Sequence, residues 1–525
     1  MSDPIRLFPS RPNLRHLKLE AKRRLAAGEF ATLHDAQLAI AREHRLSSWA
    51  VLKQLVENRG GPSQATQLPT HALDQVRWVI ARFAEADRAG WVAPDDGELQ
   101  AHFTERFLTA IPAAQLISTL SGQAASLREE LEVTAANAQH VQAELPGIQI
   151  QASTETDPPH RLAMLRAFPD GRRITDPRLA SAASRTAGNV PAAAHEIADA
   201  TLAELALPGL VLAAFGPAAP DPAADPAAPD PATPGDPDGA EWTVARGWAD
   251  LDHEQALRPD HRFPAFSITK LVTAVAVLRL AAEGAVQLDA PANGYLRDLQ
   301  LADPEVTVRE LLTHSAGANS PDLLFAEEVP ALQALTGPVL GCSGPRGTFE
   351  YSNGGYAVLG QVIADVSGVP YGDAATRLVL GPLAMGQSWY PVRWPAGPDV
   401  VTGYGLADRA FQATTEICTL PAAGGLWSTA TDLLRFARGW RGLLPAELAA
   451  EALRPQLTRP DEVEVGLGWI VNQKRGVHGH AGGGRGGASS LIVSAGGDRV
   501  HIALTNRLIP IEPVNARVLK ALTGS

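Results

Sequence analysis

The sequence predicts a three-part chain: a short helical module over residues 1–60, a small α+β domain over 70–178, and a larger α/β domain over 187–525. Three observations carry that reading. At 525 residues the chain is too long for one compact core, because folding units hold roughly 100–200 residues. The apolar period changes from helical to alternating near residue 130, and a new helix-then-strand pattern begins after Val190. Two composition breaks punctuate the chain, a polar Gly/Pro-bearing stretch from Gly60 to Pro69 and an Ala/Pro/Asp tract from Gly216 to Gly239. With 45% hydrophobic and 19% charged residues, ordinary cores can form and wholesale disorder is excluded.

The first part carries apolar residues at helical spacing, among them Leu14, Leu17, Leu25, Leu38, Trp49 and Leu52. Its phrase from Asp35 to His44, followed by Ser48-Trp49, resembles a helical segment found beside ankyrin repeats. No repeat follows, so the resemblance implies a docking element for a protein partner. Residues 1–60 hold eleven Lys/Arg against six Asp/Glu in a chain of net charge −12, so only this part favours an acidic partner. Nucleic acid is not expected as a ligand for the rest.

In the second part, helical patterns at 71–89, 97–110 and 112–127 precede alternating segments near 130–137, 147–153 and 160–167. Helices followed by strands define an α+β domain. The stretch from Leu99 to Phe168 resembles a cystatin/NTF2-like (steroid-isomerase-like) domain, and Trp91, Phe103 and Phe107 read as its core. The third part opens with a helix over Ala193–Leu205 and strands over Leu210–Phe215 and Trp242–Trp248. Gly216–Gly239 lies between those strands and cannot bury enough apolar area to offset its ordering cost, so it is expected to be a disordered insertion within one domain.

The chemistry starts at Ser267-Ile-Thr-Lys270, which opens a run that is apolar nearly all round and so reads as a buried helix. A spacing of three puts serine and lysine on one face of the first turn. Serine is a weak nucleophile until a neighbouring base takes its proton, and a desolvated lysine suits that task. Alone the pattern is weak. Tyr351-Ser-Asn353 follows 84 residues on, and His480-Ala-Gly482 comes 127 residues beyond Asn353, at the start of a glycine-rich run read as a turn.

With these three motifs, and with the phrases Glu310–Gly317 and Ala423–Thr429, the region from about 190 to 522 resembles the serine β-lactamase and penicillin-binding-protein superfamily, in its class C, carboxypeptidase and esterase branch. The resemblance implies a β-lactamase-like α/β domain, an antiparallel sheet flanked by helices with a helical subdomain from Ser267 to about Ala449 and the site in the cleft between them. It implies Ser267 as acylated nucleophile, Lys270 as its proton acceptor and Tyr351 as the second acid/base group. Asn353, His480, Gly482 and Gly483 would bind substrate, with the N–H groups of Ser267 and Gly483 forming the oxyanion hole. Thr313, His314 and Ser315 would be structural, bracing the active-site helix.

No cofactor or metal is implied: His195-Glu196 and His253-Glu254 lack the second histidine of a zinc peptidase, and no Gly-x-Ser-x-Gly elbow occurs. Cys342 and Cys418 are too isolated for a disulfide framework and read as small buried apolar residues. Met1–Glu20 lacks a secretory signal pattern, and the longest apolar run, Leu271–Val286, is interrupted by Arg279 and Glu283. The expectation is a cytoplasmic protein that does not engage a membrane. Ala481 lacks the hydroxyl that helps carboxylate-binding members of the superfamily, and His480 is mostly neutral at pH 7. The predicted function is therefore a serine hydrolase acting on an uncharged small-molecule ester or amide. The alternative is a non-catalytic acyl-ligand or β-lactam sensor.

Overall fold

A computed structural model describes residues 71–216 and 240–518 apart from short gaps, the longest being 331–340, together with a few positions before 71. The helical N-terminal module and the disorder expected for the Ala/Pro/Asp insertion lie outside the described residues. The chain divides into two compact units, Met1–His71 and Ala72–Ser525.

Helices His71–Phe83, Asp96–His102, Glu105–Ala110, Ala113–Ser121 and Ala124–Leu127 are followed by four strands, Glu132–Ala136, His140–Leu145, Ile148–Thr154 and Leu162–Pro169. The strands pair in chain order, all antiparallel. Asp95 and Thr104 cap the second and third helices by accepting from the N–H groups of Glu98 and Phe107. Phe83, Leu99, Phe103 and Phe107 form the core with Val141, Ala143 and Leu145, and Trp91 packs at its edge. The strand His140–Leu145 escapes sequence reading because its buried face is Val-Ala-Leu and alanine gives little contrast.

The following segment is stitched to the larger domain. Trp248 Nε1 donates to Arg178 O at 2.8 Å, and Arg178 pairs with Asp176 and Asp252. The exposed strand Ser184–Gly188, unforeseen in the sequence, then adds to the edge of the large sheet. Residues 72–525 thus form one compact unit.

That sheet is antiparallel along its main path: Leu457–Thr458, Glu464–Val465, Ile470–Asn472, Val477–Gly484, Gly487–Ser494, Val500–Thr505, Gly209–Gly216, Ala240–Asp250 and Ser184–Gly188. Gly216 faces Ala240, so residues 217–239 connect two neighbouring strands of one sheet. On one face Ala194, Ala198 and Leu202 of the helix Ala192–Leu205 pack with Leu212, Val244, Ala503 and Val518. On the other, Val211, Ala213, Leu491 and Ile502 meet the helix Thr269–Ala282, which is buried on nearly every side. The helices Val308–Leu312, Asn353–Ser367, Pro421–Gly424 and Ala430–Gly439 complete that layer. Among the described residues no helix is long and apolar enough to cross a membrane.

Three buried histidines on this sheet carry a pH consequence. Burial pushes His478 and His501 down to about 4 and His480 to about 3, and each has at least one ring nitrogen without a hydrogen-bond partner. The unfolded chain binds these protons near pH 6.5 and the folded chain does not. Stability is therefore full above that value and is lost as pH falls toward 4. Each histidine contributes a slope of up to about 1.4 kcal/mol per pH unit, about 4 for the three. Urea unfolding at pH 7, 6 and 5 checks this, and His501→Phe, which removes one titrating group, is expected to lower the slope by up to about 1.4 kcal/mol per pH unit.

Candidate active site

Ser267 sits in a single 3-10 turn, Phe266–Ile268, just before the helix Thr269–Ala282. Phe266 has φ +45°, a conformation that costs a bulky residue about 1–3 kcal/mol. Its buried ring explains the glycine-rich run. A Cβ built on Gly482 would lie 2.6 Å from Ser267 N and 2.8 Å from Phe266 Cβ, and one on Gly484 or Gly487 would meet the Phe266 ring at 2.6 or 3.0 Å. The run from 482 to 487 is thus not the turn its composition predicts. Val477–Gly484 and Gly487–Ser494 are paired strands joined at Arg485–Gly486, and their glycines make room for the turn that carries Ser267. Ser489 Oγ donates to Ala265 O at 2.7 Å and ties the sheet to that turn.

Lys270 is fully buried one turn further on. Its Nζ lies 2.8 Å from Asn353 Oδ1, 2.8 Å from Ala423 O and 3.2 Å from Ser267 Oγ. Among the described residues no carboxylate pairs with it. The rings of Tyr351 and Tyr356 stand 4.9 and 5.5 Å from Nζ. Tyr351, 36% exposed at the rim, donates from Oη to Ser267 Oγ at 2.9 Å. Tyr351 precedes a helix and not the loop its turn-rich neighbourhood predicts: Ser352 caps Asn353–Ser367 by accepting from Gly355 N. That cap puts Asn353 on the first helical turn, where its side chain reaches Lys270.

The Glu310–Gly317 phrase holds the tyrosine segment. Glu350 N donates to His314 O at 2.7 Å and Ser352 N to His314 Nδ1 at 3.1 Å, while the His314 ring stacks on Tyr351 at 4.5 Å. Burial first, then the Lys270 charge, hold His314 well below its ordinary value, so it is neutral with its hydrogen on Nε2. Thr313 and Ser315 bond each other at 2.8 Å. The phrase thus braces Tyr351, where the sequence reading had it bracing the nucleophile helix.

His480 lies on the other side, its ring 6.2 Å from that of Tyr351. Its Nδ1 is 2.6 Å from Ala481 O, and a carbonyl only accepts, so Nδ1 carries the hydrogen. Nε2 is left as a buried acceptor with no partner. Burial and the Lys270 charge push the ring down to about 3, so it is uncharged at neutral pH. Strand alternation puts His480 and Gly482 on the face toward Ser267 and Ala481 on the opposite face, against the apolar cluster that includes Ala488, Ala503 and Ile511. A hydroxyl at position 481 would meet apolar side chains there. The expected weakness toward carboxylates therefore rests on His480, and the sequence argument from Ala481 loses its footing.

The structure brings Ser267, Lys270, Tyr351, Asn353 and Gly482 into direct contact and His480 alongside. Gly483, next on the strand, lies against Leu508. Cys342 and Cys418 are only partly buried, at the edge of the core. His195 is engaged with Arg246, and His253 is exposed beside Asp250, both away from this cleft. Sequence reasoning missed the Ala423 carbonyl and Tyr356. A backbone oxygen leaves no residue-type signal, and Tyr356 reads as an ordinary helix residue. The two neutral imidazoles around a surface tyrosine could be found only from the fold.

A serine at a helix start, held by a buried lysine and a tyrosine between an antiparallel sheet and a helical layer, is the arrangement of the β-lactamase and penicillin-binding-protein class. The beta-lactamase family model matches residues 237–522, more than half of the chain, and the chain belongs to that family. Esterase EstB of Burkholderia gladioli is 31% identical over 273 residues, covering 43% of this chain and 69% of its own length. Among solved structures, a penicillin-binding protein from Bacillus halodurans is 20% identical with a TM-score of 0.53, over 63% of this chain and 100% of its own. D-amino acid amidase from Ochrobactrum anthropi is 22% identical with a TM-score of 0.52, over 63% and 98%. At those identities the two structures establish the fold.

Proposed function

We propose that the protein hydrolyses a small uncharged ester or amide through an acyl-enzyme on Ser267. One observation carries the reading: Ser267 Oγ stands between Tyr351 Oη at 2.9 Å and the buried Lys270 Nζ at 3.2 Å. Asn353 Oδ1 and Ala423 O accept from Lys270 Nζ and hold it beside Ser267 Oγ. The likeness to esterase EstB supports an ester substrate.

In acylation Ser267 Oγ attacks the carbonyl carbon while its proton passes to Lys270 Nζ, and Tyr351 gives its proton to the departing oxygen or nitrogen. The N–H groups of Ser267 and Gly483 receive the developing oxyanion. In deacylation the Tyr351 phenolate takes a proton from water, the hydroxide attacks the acyl carbon, and Ser267 leaves with the proton held by Lys270. The sum is one water added across one acyl bond. With His480 uncharged, its ring supplies no cation for a substrate carboxylate.

The test is a panel of nitrophenyl esters, amides and β-lactams assayed at pH 7. Neutral esters are expected to exceed matched carboxylate-bearing esters and penicillins by at least about ten-fold in kcat/KM, since a hydrogen bond to a charged group is worth about 1.5–3 kcal/mol. Better turnover of penicillins or D-Ala-D-Ala peptides than of neutral esters would refute the substrate assignment. A stoichiometric burst with no turnover would instead mark an acyl-binding sensor.

A further inference from the structure

Lys270 finds Ala423 O available because the short helix Pro421–Gly424 stops where it does. In a continuing helix Leu426 N would donate to Ala422 O and Trp427 N to Ala423 O, each four residues back. Instead Leu426 N donates to Thr269 Oγ1 at 3.1 Å, and Trp427 N donates to Trp389 O at 2.9 Å. Both carbonyls are thus left over at the helix end. Two side chains of the helix Thr269–Ala282 answer them: Lys270 Nζ donates to Ala423 O at 2.8 Å and Thr273 Oγ1 to Ala422 O at 2.7 Å. Thr269, Lys270 and Thr273 share one face of that helix, so one face holds the turn at three points. Thr273 is fully buried, and its hydroxyl has a single hydrogen. With that hydrogen on Ala422 O, and Thr269 O farther off at 3.2 Å, Tyr371 Oη at 2.7 Å donates to Thr273 Oγ1. Tyr390 Oη lies 3.2 Å beyond, and burial pushes Tyr371 up to about 12, so it keeps its hydrogen at neutral pH.

We propose that Thr273, seated by Tyr371, is a positioning residue for proton transfer at Ser267: it pins Ala422 O and so aims the next carbonyl, Ala423 O, at Lys270 Nζ. The inference rests on the acyl-enzyme reading and adds to it a residue that touches neither the substrate nor the reacting atoms. The two carbonyls belong to adjacent planar peptides that meet at Ala423, so freeing one lets the other swing. Lys270 Nζ is steered by Ala423 O and Asn353 Oδ1, both at 2.8 Å, toward its longest contact, Ser267 Oγ at 3.2 Å. Drift of Ala423 O therefore acts on the Ser267 contact. A displacement approaching 1 Å at a reacting centre costs about 10²-fold, and a smaller drift within a packed core costs a fraction of that.

The experiment measures kcat and KM for 4-nitrophenyl acetate on the wild type, Thr273→Val, Thr273→Ser, Tyr371→Phe and Val275→Ala, with active sites counted by exhaustive fluorophosphonate labelling. Valine keeps the shape of threonine and removes the hydroxyl, and Thr273→Val is expected to lower kcat per labelled site about ten-fold with KM within two-fold. Thr273→Ser keeps the hydroxyl and is expected to return kcat to within about three-fold of the wild type. Val275 is buried on the opposite face of the helix, so Val275→Ala lowers the melting temperature and is expected to leave kcat per labelled site alone. A kcat within two-fold of the wild type in Thr273→Val, a Thr273→Ser as slow as Thr273→Val, or an equal loss in Val275→Ala would overturn the proposal. Should Thr273→Val not fold, Tyr371→Phe decides: a kcat loss beyond two-fold supports the clamp, and a kcat within two-fold overturns it. Failure of wild-type Ser267 to label would sink the acyl-enzyme reading and this inference with it, whereas full labelling with unchanged kcat in the variants sinks this inference alone.

Discussion

Lys270→Met is expected to lower kcat on a neutral ester by about 10²–10⁴, the range a positioned proton acceptor contributes. Methionine matches the length of the lysine stem, so the helix Thr269–Ala282 can keep its packing. What is lost is the proton path between Nζ and Ser267 Oγ, together with the donors to Asn353 Oδ1 and Ala423 O. Those two acceptors become unsatisfied at roughly 1–3 kcal/mol each, less the gain from no longer burying a polar amine. Melting temperature should therefore change modestly while turnover collapses. Steady-state kinetics with a thermal melt on the same preparation check both halves. Turnover within ten-fold of wild type would remove Lys270 from the proton path.

Gly482→Ala is expected to cost about 10²-fold in kcat/KM without touching an ionisable group. The added Cβ would meet Ser267 N at 2.6 Å, Ser489 Oγ at 2.7 Å and Phe266 Cβ at 2.8 Å. The first neighbour is backbone and the third is already held in a strained turn, so the strand or the nucleophile must shift. A displacement approaching 1 Å at a reacting centre costs about 10²-fold. The loss should appear for all acyl groups alike. Gly476→Ala is the control, since a Cβ there meets nothing within 4 Å, although its φ of +62° adds some backbone strain.

The chemistry was more legible in the sequence than the frame that positions it. Ser267, Lys270, Tyr351 and Asn353 stood out because their residue types and order are rare together, and the all-round apolar run after Lys270 announced a buried helix. Central strands such as Gly209–Gly216 announced themselves as apolar blocks. The edge strand Ser184–Gly188 did not, because an exposed edge has no buried face to pattern. The run from 482 to 487 is ambiguous in sequence because glycine signals both turns and close approach, and only the position of the Phe266 ring distinguishes them. The face of Ala481 is hidden for a similar reason: whether a strand residue faces the cleft depends on register, which one sequence does not print. The unpartnered Nε2 of His480 depends on a tautomer set by its neighbour's carbonyl, a tertiary detail.

The central claim is an acyl-enzyme on Ser267, and intact-protein mass spectrometry after rapid acid quench of the protein with 4-nitrophenyl hexanoate tests it most directly. The account expects one added acyl mass, mapped by peptide fragmentation to the segment containing Ser267, decaying as product accumulates and absent in Ser267→Ala. An adduct on Ser315 or Ser428 that persists in Ser267→Ala, or turnover by that variant at the wild-type rate, would contradict it.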